Sequence, residues 1–213
     1  MTVETKICGL STADTVRAAL AGGADYLGFM FFPASPRNVD PTDAARLAMP
    51  ARGIARIVAV TVDADNDLID RLSETLEPDL IQLHGRETPA RVHEIAARSG
   101  ALTIKVIAIT EAGDLAAAAD YEGAADHLMF DARLPTDANR PGGMGHAFDW
   151  SLLGGQRFAR PWFLAGGLDP WNVAAAVAAS GAPMVDVSSG VERGPGLKDP
   201  ALIEAFLEAV RRA

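Results

Sequence analysis

Apolar residues along this chain follow two alternating rhythms. Short runs rich in β-branched and aromatic side chains give way to longer Ala-rich stretches, in which apolar positions recur every three or four residues. The short runs predict strands at Val3–Cys8, Tyr26–Phe31, Arg56–Val62, Asp79–Leu83, Thr103–Ile109, His127–Asp131, Trp162–Ala165 and Met184–Val187. Helices are expected near Thr12–Ala21, Pro41–Ala51, Ala64–Leu76, Pro89–Ser99, Glu111–Ala119, Phe148–Leu153, Pro170–Ala179 and Pro200–Arg212. Asp40-Pro41, Thr88-Pro89, Asp169-Pro170 and Asp199-Pro200 each join a capping side chain to a proline suited to a first helical turn. Gly-Ala pairs at Gly23, Gly100, Gly123 and Gly181 precede strands, where a left-handed glycine can end a helix.

Eight strand-then-helix units in 213 residues leave no room for a second domain, so residues 1–213 are expected to form one α/β domain. The alternation implies parallel strands joined by right-handed crossovers. It fits a compact single-domain (β/α)8 TIM barrel, while alternation alone also allows an open doubly wound sheet.

Composition narrows the class. Hydrophobic residues make up 49% and charged residues 22%, and no apolar run approaches the length needed to span a bilayer. The start, Met1-Thr2-Val3-Glu4, has no basic region leading into an apolar stretch, so no signal peptide is expected. One cysteine cannot form an internal disulfide, which fits a cytoplasmic location. The net charge of -9 argues against nucleic acid and anionic membranes as partners. An anionic ligand would therefore need a locally positive site.

In a parallel barrel the chemistry lies where strands end. Leaving the strands here are Cys8, the loop Pro33–Arg37, Gln82 and His84, Asp131, Gly166-Gly167, and Asp186 through Gly190. A lone cysteine is more often a small core hydrophobe than a reactive group, and Cys8 has both readings. Period-two alternation puts Lys6 with Cys8, Gln82 with His84, and His127 with Met129 and Asp131 on faces expected to look into the barrel mouth. Ile7, Ile81, Leu83, Leu128 and Phe130 take the helix-facing side. Two glycine-rich exits, Gly166-Gly167 and Ser188-Ser189-Gly190, read as phosphate cradles in which backbone N–H groups supply positive potential. His84 and His127 also fit as core histidines. Four histidines at irregular spacing give no metal-ligand pattern, and neither metal nor cofactor is expected.

Ordered blocks over nearly the whole chain resemble the phosphoribosylanthranilate isomerase family of tryptophan biosynthesis. They are Lys6-Ile7-Cys8-Gly9, Gly28-Phe29 with Ser35-Pro36-Arg37, Gln82-Leu83-His84-Gly85, and Gly142-Gly143 through Phe148-Asp149-Trp150. Ala165-Gly166-Gly167-Leu168, Val185 through Glu192, and Pro195-Gly196 with Lys198-Asp199 complete the set. The resemblance implies the closed barrel and an Amadori rearrangement of N-(5-phosphoribosyl)anthranilate, an anionic phosphosugar. It implies Cys8 as general base and Asp131 as general acid, with Arg37 holding the anthranilate carboxylate. Gln82, His84 and Asp186 would position substrate, and Gly166, Gly167, Ser188, Ser189 and Gly190 would bind its phosphate. A monomer or homodimer is expected.

The general base must be driven toward thiolate, and Lys6 is the candidate cause, unless it pairs with a carboxylate instead. The loop after strand six departs from the family pattern at Ala132–Asp137, Met144 and His146, and is expected to close over substrate. Two rival functions fit the residues less well. The sister isomerase of histidine biosynthesis resembles a two-carboxylate design where this chain has Cys8, and a non-catalytic phosphate-binding barrel would have no need of Cys8 and Asp131. For a barrel aldolase, Lys105 is the only candidate Schiff-base lysine.

Overall fold

The computed structural model describes residues 2–132 and 148–213. Eight parallel strands close on themselves in chain order: β1 (Glu4–Cys8), β2 (Tyr26–Phe31), β3 (Arg56–Thr61), β4 (Leu80–Leu83), β5 (Leu102–Ile109), β6 (His127–Ala132), β7 (Trp162–Leu164) and β8 (Met184–Val187). β8 returns to pair with β1 in a register that sets Lys6 beside Asp186, and this closure rules out the open sheet. On the other side of β1, Cys8 faces Gly28 of β2.

Around the barrel run α1 (Ala13–Ala21), α2 (Pro41–Ala48), α3 (Asn66–Thr75), α4 (Pro89–Ser99), α5 (Ala117–Tyr121), α6 (Val173–Ser180) and α7 (Pro200–Arg211). Asp40, Thr88 and Asp199 accept backbone N–H groups at the starts of α2, α4 and α7, as their Asp-Pro and Thr-Pro pairs lead one to expect. The fourth pair behaves differently. Asp169 accepts the N–H groups of Trp171 and Asn172, and Asn172 returns a bond to the Asp169 N–H. That closed turn uses up the cap, so α6 starts three residues later than the proline suggests. α3 likewise begins after Ala64, because Asp65 caps it through the Leu68 N–H. Gly23, Gly100 and Gly181 are left-handed as expected, whereas Gly123 is not.

The segment predicted helical from Glu111 is a 3-10 turn, Ala112–Ala116, leading into the short α5; the one from Phe148 keeps only the 3-10 turn Trp150–Leu153. Beyond β8 an antiparallel hairpin, β9 (Glu192–Gly194) and β10 (Leu197–Lys198), had not been expected. No described helix is long and apolar enough to cross a membrane.

The period-two pattern divides the core into two layers. Ile7, Leu27, Ile81, Leu83, Leu128, Phe130 and Val185 point outward and pack with helix residues such as Val16, Ile69, Val92 and Phe206. Val58, Val60, Leu80, Ile104, Met129 and Phe163 fill the barrel interior, with Cys8 above them. Each wholly buried Leu or Ile contributes about 1.5–3 kcal/mol of transfer free energy. The apolar plug ends where polar side chains begin, and that boundary forms the floor of the mouth.

Candidate active site

Three strands carry the thiol side of the mouth. Cys8 is buried at the end of β1, and its neighbour Lys6, with no exposed surface, donates to Asp186 of β8 at 2.7 Å. Burial would lower the Lys6 ammonium, but Asp186 and the Cys8 sulfur outweigh it and hold Lys6 protonated. For Cys8 the balance runs the other way: burial pushes the thiol up, and the pull of Lys6 and Lys198 does not offset it. Lys6 is thus both partner to a carboxylate and the nearest cation to the sulfur. Gly28 keeps this corner open, since a Cβ there would stand 3.1 Å from Lys6 Nζ and 3.3 Å from Cys8 Sγ.

Arg37 is buried at the rim, beside this corner. Its Nε and Nη2 donate to the two oxygens of Glu192 at 2.7 Å each, a planar two-pronged pair. Lys198 Nζ donates to the same carboxylate at 2.6 Å, to the Ser188 carbonyl at 2.9 Å and to the Ser188 hydroxyl at 3.2 Å. Burial would raise the Glu192 carboxyl, but Arg37 and Lys198 together hold it below its ordinary range. Burial in turn lowers Lys198. Two glycines seat the loop that carries Arg37. A Cβ on Gly9, which is left-handed, would stand 2.6 Å from Arg37 Cδ, and one on left-handed Gly196 would stand 2.5 Å from the Pro36 carbonyl.

The opposite side is built from β4 and β6. Asp131, buried near the end of β6, lies 3.2 Å from His84 Nε2, and His84 Nδ1 lies 3.1 Å from Gln82 Nε2. A buried ion pair underpins this row. Glu87 accepts from the backbone N–H groups of Asp63 and Gly85, while Lys105 donates to Glu87 at 2.6 Å and to the Gly85 carbonyl at 2.7 Å. Together they clamp the turn that follows His84. Lys105 pairs in register with Leu83 and Leu128, both outward-facing, so its ammonium is engaged outside the mouth rather than free to form a Schiff base.

The two glycine-rich exits meet. A Cβ on Gly190 would fall 2.0 Å from the Leu168 carbonyl, so the β8 exit rests directly on the β7 exit. Gly166 and Gly167 are left-handed, and a Cβ on Gly166 would stand 2.9 Å from Asp131 Oδ1. These glycines therefore have packing reasons beside any ligand role. Ser188 is already engaged by Lys198.

One expectation fails on height. His127 is on the inner face, but as the first residue of β6 it sits at the barrel's other end, tilted against Phe163 with ring centroids 6.0 Å apart. Burial lowers its pKa, and its Nδ1 has no hydrogen-bond partner among the described residues. It is a core histidine, remote from the mouth. Met144, His146 and the loop expected to close over substrate lie outside the described residues.

Comparison with known proteins decides the lineage. Residues 5–209 match the family model described as N-(5′-phosphoribosyl)anthranilate (PRA) isomerase. The chain belongs to the phosphoribosylanthranilate isomerase family. It is 64% identical over 211 residues to the N-(5′-phosphoribosyl)anthranilate isomerase of Caulobacter sp. strain K31, covering 99% of each chain. The isomerase crystal structure from Thermotoga maritima superposes with a TM-score of 0.88 at 33% identity, covering 99% of this chain and 100% of that one. A family structure in complex with reduced 1-(o-carboxyphenylamino)-1-deoxyribulose 5-phosphate superposes at 0.85, with 31% identity and the same coverage.

Within this isomerase fold the sequence reading missed two kinds of residue. Glu192 and Lys198 stood inside recognised blocks but carried no role, because a hairpin of three and two residues is too short for a periodic signal. The Gly194-Pro195-Gly196 turn between them was the available clue. Glu87 lies between a strand exit and a Thr-Pro cap, where nothing in its neighbours marks a buried clamp.

Proposed function

We propose that this barrel catalyses the Amadori rearrangement of N-(5-phosphoribosyl)anthranilate to 1-(2-carboxyphenylamino)-1-deoxyribulose 5-phosphate, the isomerisation step of tryptophan biosynthesis. The observation that carries the reading is a thiol and a carboxylate 3.2 Å from a histidine, leaving β1 and β6 into one mouth. Asp131 gives a proton to the furanose ring oxygen as the C1′–O bond breaks and the nitrogen lone pair forms the iminium. Cys8, as thiolate, then takes the C2′ proton, and the C–H electrons neutralise the iminium to give the enol amine. Ketonisation returns a proton to C1′ and releases the one on the C2′ oxygen, so the reaction is a net isomerisation without cofactor.

A buried thiol held in its neutral form is a poor base, and the cations around it are what the reaction draws on. Lys6, Arg37 and Lys198 face the anions Asp186 and Glu192, leaving one net positive charge around the sulfur in an otherwise acidic protein. The iminium adds a further positive charge at the moment the base acts. Arg37 receives the anthranilate carboxylate in this reading, with Glu192 holding its Nε edge and fixing the plane of the guanidinium. The joined β7 and β8 exits receive the phosphate through Gly166, Gly167, Ser188, Ser189 and Gly190. Asp186 and Gln82 line the space between. In this reading residues 1–213 act as one catalytic domain, as monomer or homodimer, and a biosynthetic step of this kind belongs in the cytoplasm.

Purified protein supplied with enzymatically generated phosphoribosylanthranilate should consume its anthranilate fluorescence, and the gene should rescue a tryptophan auxotroph lacking this step. Absence of turnover at any enzyme concentration would overturn the assignment.

A further inference from the structure

Gln82, His84 and Asp131 stand in one row of close polar contacts ending at the reacting carboxyl, and its far end has no partner among the described residues. Gln82 is buried, and its Oε1 has no partner among the described residues. The same amide's Nε2 contacts His84 Nδ1 at 3.1 Å, and His84 Nε2 contacts Asp131 Oδ2 at 3.2 Å.

The two ends of an amide differ in what they require of an imidazole. With Nε2 toward the ring, Gln82 donates to Nδ1, the ring proton sits on Nε2, and the ring has no proton it can pass to Asp131. With Oε1 toward the ring, Nδ1 must carry a proton, and Nε2 and Asp131 then share a second proton between them. Among the described residues, either orientation leaves one end of the amide without a partner, so none of them fixes its rotation. The amide follows the charge state of the ring.

We infer that His84, with Gln82 as its reversible partner, stores the proton that Asp131 delivers to the ring oxygen. This rests on the isomerase reading of the mouth. In the loaded state one proton bridges His84 Nε2 and Asp131 while His84 Nδ1–H donates to Gln82 Oε1. Asp131 passes the bridging proton to the departing ring oxygen and becomes a carboxylate. The proton released from the C2′ oxygen on ketonisation reloads the pair, and the thiol proton of Cys8 goes to C1′. His84 is a positioning and proton-holding residue here, acting through Asp131.

The charged groups around the row come from several elements. Lys105 of β5 and Glu87 of the β4 exit are paired with each other beneath it, and Lys6, Cys8 and Asp186 lie across the barrel on β1 and β8. The family resemblance implied His84 and Gln82 as substrate positioners, with a core histidine the other reading of His84, and a storage role makes a different kinetic demand.

The test is the pH dependence of kcat and KM for wild type, His84→Asn and Gln82→Glu, with the fold of each variant checked by circular dichroism and its binding of the reduced product by titration. His84→Asn removes the proton store, so its kcat should fall further below wild type as pH rises from 6 to 8, by about tenfold or more over that range. Gln82→Glu sets a carboxylate against Nδ1 and should carry the alkaline limb to higher pH. Loss by one factor at every pH, a change in KM alone, or an unmoved limb in Gln82→Glu would overturn the storage role. Wild-type protein without turnover would instead remove the isomerase reading beneath it.

Discussion

The β1–β2–β8 side of the mouth gathers formal charges, whereas the β4–β6 side sets polar side chains beside a single carboxylate. On the first, three cations and two carboxylates surround a thiol. On the second, Asp131 meets a histidine that a glutamine contacts from its other side, while the nearby ion pair of Lys105 and Glu87 is turned outside the mouth. The difference matches what each group must do. A base that starts as a neutral buried thiol needs positive potential to become an anion; an acid must keep its proton, which a nearby unpaired cation would drive off. One mouth holds both because the barrel's width separates them.

Removing either reacting group should break the comparison most severely. Cys8→Ser and Asp131→Asn should each lower kcat by about 10²–10⁴ with product-analogue binding largely kept, measured by anthranilate fluorescence and titration calorimetry. Near-normal kcat in either variant would withdraw that residue's role.

The charged side should also be the structurally sensitive one. Lys6→Met leaves Asp186 buried without its partner and should cost about 3–5 kcal/mol in urea unfolding, most of it recovered when Asp186→Leu is added. A double variant no more stable than the single one would contradict the pairing. Lys198→Met, removing a cation that draws the thiol down, should move the pH midpoint of Cys8 alkylation by iodoacetamide upward. A midpoint that falls or stays would show that the Glu192 cluster does not reach the sulfur.

The smallest effect lies at the far end of the barrel. His127 has its pKa lowered by burial from an ordinary value of 6.5, so the unfolded chain takes up the proton first. Stability is full above 6.5 and declines as pH falls through and below it. His127→Phe should flatten that slope in thermal melts between neutral and mildly acid pH, without moving kcat. An unchanged slope would place the acid sensitivity elsewhere.

How much of this was legible beforehand follows from what periodicity encodes. Alternation told which face each strand residue takes, and Lys6, Cys8, Gln82 and Asp131 lie on the inner face as read. It did not tell height along the strand, and that is why His127, on the correct face, lands at the wrong end. Closure of the barrel was beyond alternation, because pairing of β1 with β8 joins residues nearly a whole chain apart. The Glu192 fork on Arg37 was invisible for a related reason: the two lie 155 positions apart, joined by a hairpin too short to show a rhythm. The helix starts shifted where an aspartate took the cap, at Asp169 and Asp65, and where a 3-10 turn preceded or replaced the helix, after Glu111 and Phe148.

The division of labour between the two sides is tested most directly by the isotope effect on kcat with substrate deuterated at C2′. Ring opening breaks no C2′–H bond and belongs to Asp131; proton removal breaks that bond and belongs to Cys8. In Asp131→Asn ring opening should become limiting, and the isotope effect should shrink toward unity. In Cys8→Ser proton removal should limit, and the effect should be at least as large as in wild type. Equal isotope effects in the two variants, or the reverse order, would contradict the separation of acid and base across this mouth.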